Sequence, residues 1–155
     1  MKIQWKKLIP CLLIPVATGG LSALLAGGMK DFETVNQPPL SPPGWLFPIA
    51  WTVLYLLMGL ASYLVLTGPA TRPRIHSALI VYGIQLAVNF FWSIFFFRFD
   101  AYLFSFFWLL LLWVLILVTI GKFAAIRRAA GWLLVPYLIW VTFAGYLNLG
   151  VYLLN

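Results

Sequence analysis

Five long apolar runs, separated by short polar stretches, set the pattern of the chain. They cover about Leu8–Gly28, Trp45–Leu66, Ile75–Phe97, Ala101–Gly121 and Ala129–Leu154. None contains Asp, Glu, Lys or Arg. A helix crosses a bilayer in about 20 apolar residues. A spanning strand would be half as long and would alternate polar with apolar. The pattern therefore predicts an all-α membrane protein: a bundle of five transmembrane helices in a single domain over residues 1–155.

The connections are short except for one. Arg98–Asp100 is a tight turn, which makes helices three and four an antiparallel pair. Thr67–Arg74 and Lys122–Arg128 are also brief. The stretch Met29–Gly44 reads MKDFETVNQPPLSPPG, and its four prolines favour extended backbone over helix. A long loop in a compact chain is more often functional than not, so this one is the candidate lid over one end of the bundle.

Charge adds orientation. Lys2, Lys6, Lys7, Arg72, Arg74, Lys122, Arg127 and Arg128 fall on the N-terminal side, against Lys30 and Arg98 on the other. The cytoplasmic side of a membrane protein is the one rich in Lys and Arg. The N-terminus is expected inside, the C-terminus outside, and the lid on the outer face. The lysines followed by an apolar run resemble a secretory signal, but the run exceeds a signal core, so an uncleaved first helix is expected.

Composition narrows the function. The 155 residues are 64% hydrophobic and only 8% charged, which excludes an ordinary soluble domain. The net charge of +7 is too scattered for a nucleic-acid interface. Cys11 and His76 are the lone members of their types, so neither a disulfide nor a protein-built metal site is expected, and no cofactor motif is visible. The spans lack the carboxylates and histidines of a charge relay. Aromatic residues, at 18%, exceed what membrane anchoring needs.

Several of those aromatics share helix faces with amides. Gln85, Asn89 and Ser93 recur every four residues, flanked by Trp92 and Phe96. Such amides either hydrogen-bond neighbouring helices or face a ligand, and the spacing leaves both open. Trp140, Ala144 and Asn148 repeat the arrangement on helix five, near Tyr137, Phe143 and Leu147, with Pro136 expected to kink the helix. Ala144 would leave room for a flat ligand. Trp51 and Tyr55 lie one turn apart below the lid. Gly19, Ala23 and Gly27 form a small-residue stripe suited to close packing. Gly83 and Ala87 make a similar pair that would admit another helix, from the same chain or a second protomer. The face residues suit a large, flat, apolar ligand.

Three motifs occur in order: PPLSPPGWLFPIAWTVLYLLMG; Gln85-x-x-x-Asn89-x-x-Trp92-Ser93 with Phe95-Phe96; and Trp132-x-Leu134-x-Pro136-Tyr137-x-x-Trp140-x-x-Phe143-Ala144-x-x-Leu147-Asn148. Together they resemble the TspO/MBR family of translocator proteins, also called peripheral benzodiazepine receptors. The resemblance implies a five-helix bundle, often a homodimer, with a cavity closed by the loop after helix one. It implies binding of porphyrins such as protoporphyrin IX, and of benzodiazepine-type or isoquinoline drugs. Carried over by motif, the pocket would include Pro43, Trp51, Tyr55, Gln85, Asn89, Trp92, Trp140, Ala144, Leu147 and Asn148. Porphyrin propionates would sit at the loop end, near Lys30 or amide donors. Trp51 and Trp140 match the tryptophans linked with light-dependent porphyrin breakdown in bacterial members. Asp31-Phe32 keeps one aromatic where the family often has two. No basic residue follows Tyr152 to complete a sterol-type pattern. A receptor or carrier is the leading expectation. A light- and oxygen-dependent porphyrin-degrading enzyme and a generic small transporter are the alternatives.

Overall fold

The computed structural model describes residues 2–27 and 35–155. Its helices are α1 (Trp5–Ala26), α2 (Leu46–Leu66), α3 (Arg72–Ser93), α4 (Tyr102–Ile126) and α5 (Arg128–Leu154). All five are long and apolar enough to cross a membrane, α3 together with the π-helical turn Ile94–Arg98 that extends it. No strand occurs among the described residues.

The helices outrun the apolar runs. The first begins at Trp5 and takes in Lys6 and Lys7; the third begins at Arg72; the fourth continues past Gly121 through Lys122 to Ile126. Lys and Arg are good helix formers, and their stems can lie along an apolar wall while the charged ends reach water. The connections shrink accordingly, to residues 67–71 between α2 and α3 and to Arg127 alone between α4 and α5. Pro73 falls in the first turn of α3, where its missing N–H leaves no bond unmade. Pro10 and Pro15 lie inside α1, and Pro136 inside α5.

Packing closes the helices into a ring: α1 on α2, α2 on α5, α5 on α4, α4 on α3, and α3 back on α1. The α1–α2 contact is close because Gly59 carries no side chain; a Cβ there would lie 2.6 Å from the Cys11 carbonyl oxygen. At its C-terminal end α1 is pinned to α3. Ser22 Oγ donates to the Phe90 carbonyl at 2.7 Å, and Arg98 Nη1 donates to the Leu25 carbonyl at 2.9 Å. A cation there satisfies a carbonyl left open by the end of α1. At the other end of the bundle Lys122 Nζ donates to Ser77 Oγ (3.0 Å) and Arg127 Nη2 to the Thr67 carbonyl (3.1 Å).

The described part of the expected lid, residues 35–44, contains no helix. It is fastened to the end of α5. The Asn36 backbone N–H donates to Asn155 Oδ1 (3.1 Å), Asn155 Nδ2 returns a bond to the Asn36 carbonyl (2.8 Å), and Tyr146 donates to the Pro39 carbonyl. Pro38 fills the notch left by Gly150. Lys30 and the Asp31-Phe32 pair lie outside the described residues.

Candidate ligand-binding site

Trp51 stands at the centre of the half of the bundle that holds the start of α2. The helical spacing of α2 puts Tyr55 one turn below it, and the two rings stack at 5.6 Å between centroids and 27° between planes. Across the bundle Trp51 meets Trp140 edge-on (6.4 Å, 88°), Tyr137 edge-on (6.2 Å, 72°) and Trp92 (6.5 Å, 39°). Edge-to-face contacts of this kind are favoured by the ring quadrupoles. Trp92 in turn stacks on Phe96 at 5.3 Å, a ring that the π-helical turn directs into the core.

Below these rings runs a chain of buried polar groups. Tyr137 donates to Gln85 Oε1 at 2.8 Å and accepts from Asn89 Nδ2 at 2.8 Å. Tyr55 donates a long bond, 3.4 Å, to Asn89 Oδ1. A second group joins three helices: Trp92 Nε1 donates to Asn148 Oδ1 (3.1 Å), and Asn148 Nδ2 donates to the Tyr102 carbonyl (2.7 Å). The amides that sequence spacing left open between glue and ligand contact are thus largely bonded to other helices. Two buried donors are left over, Gln85 Nε2 and Trp140 Nε1, and neither has a hydrogen-bond partner. Buried polar atoms are seldom left unpaired.

A cavity of about 120 Å³ lies against the other side of Trp51, between α1, α2 and the end of α3. Gly19, Ala23 and Ala26 form its α1 wall, and Ser93 and Phe97 close it from α3. The small residues of α1 therefore do two things. Gly19 receives the Tyr55 ring, which any side chain there would overlap, and Ala23 leaves open space.

The residues expected at the site fall into three places. Trp51 and Tyr55 line the cavity. Gln85, Asn89, Trp92, Trp140 and Asn148 form the bonded, aromatic wall behind Trp51. Ala144 and Leu147 are buried in the core and do not border the cavity. The cavity lies on the α1 side of Trp51, whose indole turns into the space between α2, α3 and α5. Pro43 is exposed and away from the cavity; its carbonyl accepts the Leu46 N–H and opens the first turn of α2. Tyr137 is the hub that spacing alone did not single out. Its position one turn before Trp140 was the available signal.

Residues 11–154 match the model of the TspO/MBR family. This chain belongs to the TspO/MBR family. The tryptophan-rich protein TspO of Chlorobaculum tepidum is 39% identical over 124 residues, covering 80% of this chain and 78% of its own. The tryptophan-rich sensory protein of Cereibacter sphaeroides is 34% identical over 155 residues, covering 100% of this chain and 95% of its own. Eukaryotic relatives match as well: the translocator protein homolog of Schizosaccharomyces pombe is 36% identical over 145 residues, covering 92% and 88%. This TspO/MBR protein is thus an integral membrane protein with bacterial, archaeal and eukaryotic relatives.

Proposed function

We propose that the protein is a membrane receptor or carrier for porphyrins such as protoporphyrin IX and for similar flat, apolar molecules, bound against Trp51. The observation that carries this reading is the placement of Trp51, whose ring borders the cavity on one side and the Trp92–Tyr137–Trp140 cluster on the other. A flat aromatic ligand stacks on indole, and the unpaired Trp140 and Gln85 donors lie behind Trp51, where acceptor atoms would meet them only if that ring moved aside. The membrane orientation that fits the charge asymmetry has the N-terminus inside and the C-terminus and lid outside. A homodimer belongs to the same proposal and is read by light scattering of the purified protein.

The test is titration of purified protein with protoporphyrin IX in the dark, following quenching of tryptophan fluorescence. Saturable quenching is expected. Ala23→Phe, which fills the cavity from an exposed position on α1, is expected to weaken binding more than tenfold with the fold intact. Equal affinity for both proteins would overturn the reading. A second reading, light- and oxygen-dependent porphyrin degradation, draws on the Trp51–Trp140 contact at 6.4 Å: one indole would give an electron to the excited porphyrin, the other would refill it, and dioxygen would take the electron up from the reduced porphyrin and supply the oxidant that opens the ring.

A further inference from the structure

The first turns of α3 and the last turns of α4 lie side by side and antiparallel. Two bonds fix their register. Arg74 Nη2 donates to the Ala125 carbonyl in a long bond of 3.5 Å, and Lys122 Nζ donates to Ser77 Oγ at 3.0 Å. Ser77 follows Arg74 by as many residues as Ala125 follows Lys122, so both links obey one register. They stand about 4.5 Å apart along the helix axes. Around them the two helices leave an open notch of about 420 Å³. Volumes of about 300–1,000 Å³ are common for ligand sites. Gly121 widens the notch, since a side chain added there would meet nothing within 4 Å.

The polar side chains of the notch have protons to donate. Lys122 is half-buried, one turn short of the end of α4; it uses one N–H on Ser77 and has others to give. Arg74 is exposed and uses one corner of its guanidinium on Ala125. Ser77 accepts from Lys122, and its own proton goes to no described group. By contrast Thr18, Thr52, Thr67, Thr119 and Thr142 each donate to the carbonyl four residues back along the chain. Among the described residues the one side-chain carboxylate is Asp100, at the far ends of both helices. Charge asymmetry across the membrane accounts for cations at this end, and capping of α4 accounts for Arg74. Neither explains a lysine held one turn deeper against a serine whose proton is unused. An oxyanion seated between the two links answers all three side chains, with charge-assisted bonds of about 2.7–2.9 Å.

One and two turns toward the middle of the membrane, on the same helix faces, lie Ile80 and Ile84 of α3 and Val118 and Val114 of α4, all exposed. We propose that the notch holds the phosphate of an anionic phospholipid, its oxygens accepting from Lys122, Ser77 and Arg74, with an acyl chain laid along Ile80 and Val118. A soluble phosphate ester offers the same oxyanion but leaves the apolar strip out of the contact. Phosphatidylcholine carries the phosphate as well, but its ammonium group meets two like charges. The site lies apart from the Trp51 cavity and does not depend on what that cavity binds.

The test reconstitutes the full chain in nanodiscs of equal phosphatidylglycerol and phosphatidylcholine and counts the lipids retained on extraction by native mass spectrometry. The wild type should retain phosphatidylglycerol in preference. Near a membrane surface each Lys or Arg is worth about fivefold in affinity for anionic lipid, so Arg74→Gln with Lys122→Gln should cut the preference about 25-fold. Lys6→Gln with Lys7→Gln makes the same charge change on α1 and should keep it, as should Arg74→Lys with Lys122→Arg. Gly121→Trp fills the notch with both charges in place and should displace the lipid. Helical ellipticity checks each fold, and Gly121→Leu replaces the Trp variant should that one not fold. In a second arm, glycerol phosphate added to the wild type should leave the lipid bound. Absence of a wild-type preference, equal loss in the α1 pair, or lipid retained in the filled notch would each overturn the proposal. Release of the lipid by millimolar glycerol phosphate would also overturn it and assign the notch to soluble phosphate esters.

Discussion

Tyr137→Phe is the most direct probe of what holds the bundle together. The change removes one oxygen and leaves the ring, so the edge contact with Trp51 stays and no cavity of consequence opens. It deletes two interhelical bonds of 2.8 Å at once, to Gln85 and from Asn89, in a site that is fully buried. In a soluble core, leaving such groups unpaired costs about 1–3 kcal/mol each. In a bilayer the unfolded helices also find partners, and single interhelical bonds average about 0.6 kcal/mol with a maximum near 1.7. The smaller figure governs here, because the competing state is a set of inserted helices rather than a hydrated chain. The expected loss is about 1–3 kcal/mol. For a chain of this length, each kcal/mol moves Tm by roughly 2–4 °C. Thermal unfolding in mild detergent, followed by helical ellipticity, should show a fall of about 3–10 °C with the starting helix content unchanged. Asn89→Leu should act in the same direction, and the double variant should lose less than the two singles together, since they share a bond. Protoporphyrin affinity should stay within about twofold, because the hydroxyl faces the polar chain and the ring faces Trp51. A Tm within about 1 °C of wild type would refute the assignment of Tyr137 as the hub.

Three further outcomes are expected. Asn155→Ala removes the two bonds that the Asn155 side chain makes to Asn36 and leaves the one from Asn36 Nδ2 to the Leu154 carbonyl, and amide exchange over residues 36–41 should quicken about 2–10-fold, the equivalent of one modest exposed bond, with the helices unaffected; unchanged exchange would show that Leu154, Tyr146 and the Gly150 notch suffice. Trp51→Phe and Trp140→Phe should each keep the fold and slow light-dependent loss of protoporphyrin absorbance; an unchanged rate in the double variant would remove the photochemical reading. In a Cys11→Ser background, a cysteine introduced at Asn155 should react with an impermeant maleimide on intact cells and one at Lys2 should not; the reverse labelling would invert the orientation.

The five helices were legible because each is a long uncharged run, and hydrocarbon admits few other structures. Their ends were less legible, since Lys6, Arg72 and Lys122 mark where lipid stops and not where the helix stops. The faces of the site could also be read: a four-residue recurrence places Gln85 and Asn89 together on α3 wherever α3 lies. What those amides face depends on the ring order of the helices, which no local pattern encodes, and in the structure they meet Tyr137 on α5. The Gly19–Ala23 stripe reads as packing from sequence. Half of that is correct, because the Tyr55 ring lies in Gly19, while Ala23 borders open space. The direction of the Trp51 ring decides both matters, and a side-chain rotamer is set by its neighbours in space.

That rotamer also determines how a large ligand would be admitted. The cavity, at about 120 Å³, is smaller than ordinary ligand sites of about 300–1,000 Å³, so a porphyrin needs space that packing now fills. Separating the helices is an expensive source of that space. On one side α1 is bonded to α3 through Ser22 and Arg98, and behind the cavity α3, α4 and α5 are joined through Asn148. Swinging Trp51 leaves all of those bonds in place. Trp92 is tethered through its indole nitrogen, whereas Trp51 is held by ring contacts, each worth about 0.5–1.5 kcal/mol beyond simple burial. A stacked porphyrin returns contacts of the same kind to the same indole. On the proposed function, Trp51 would be the plug of the resting site and the platform of the loaded one, and the loop fastened by Asn36 and Asn155 would have only to follow it.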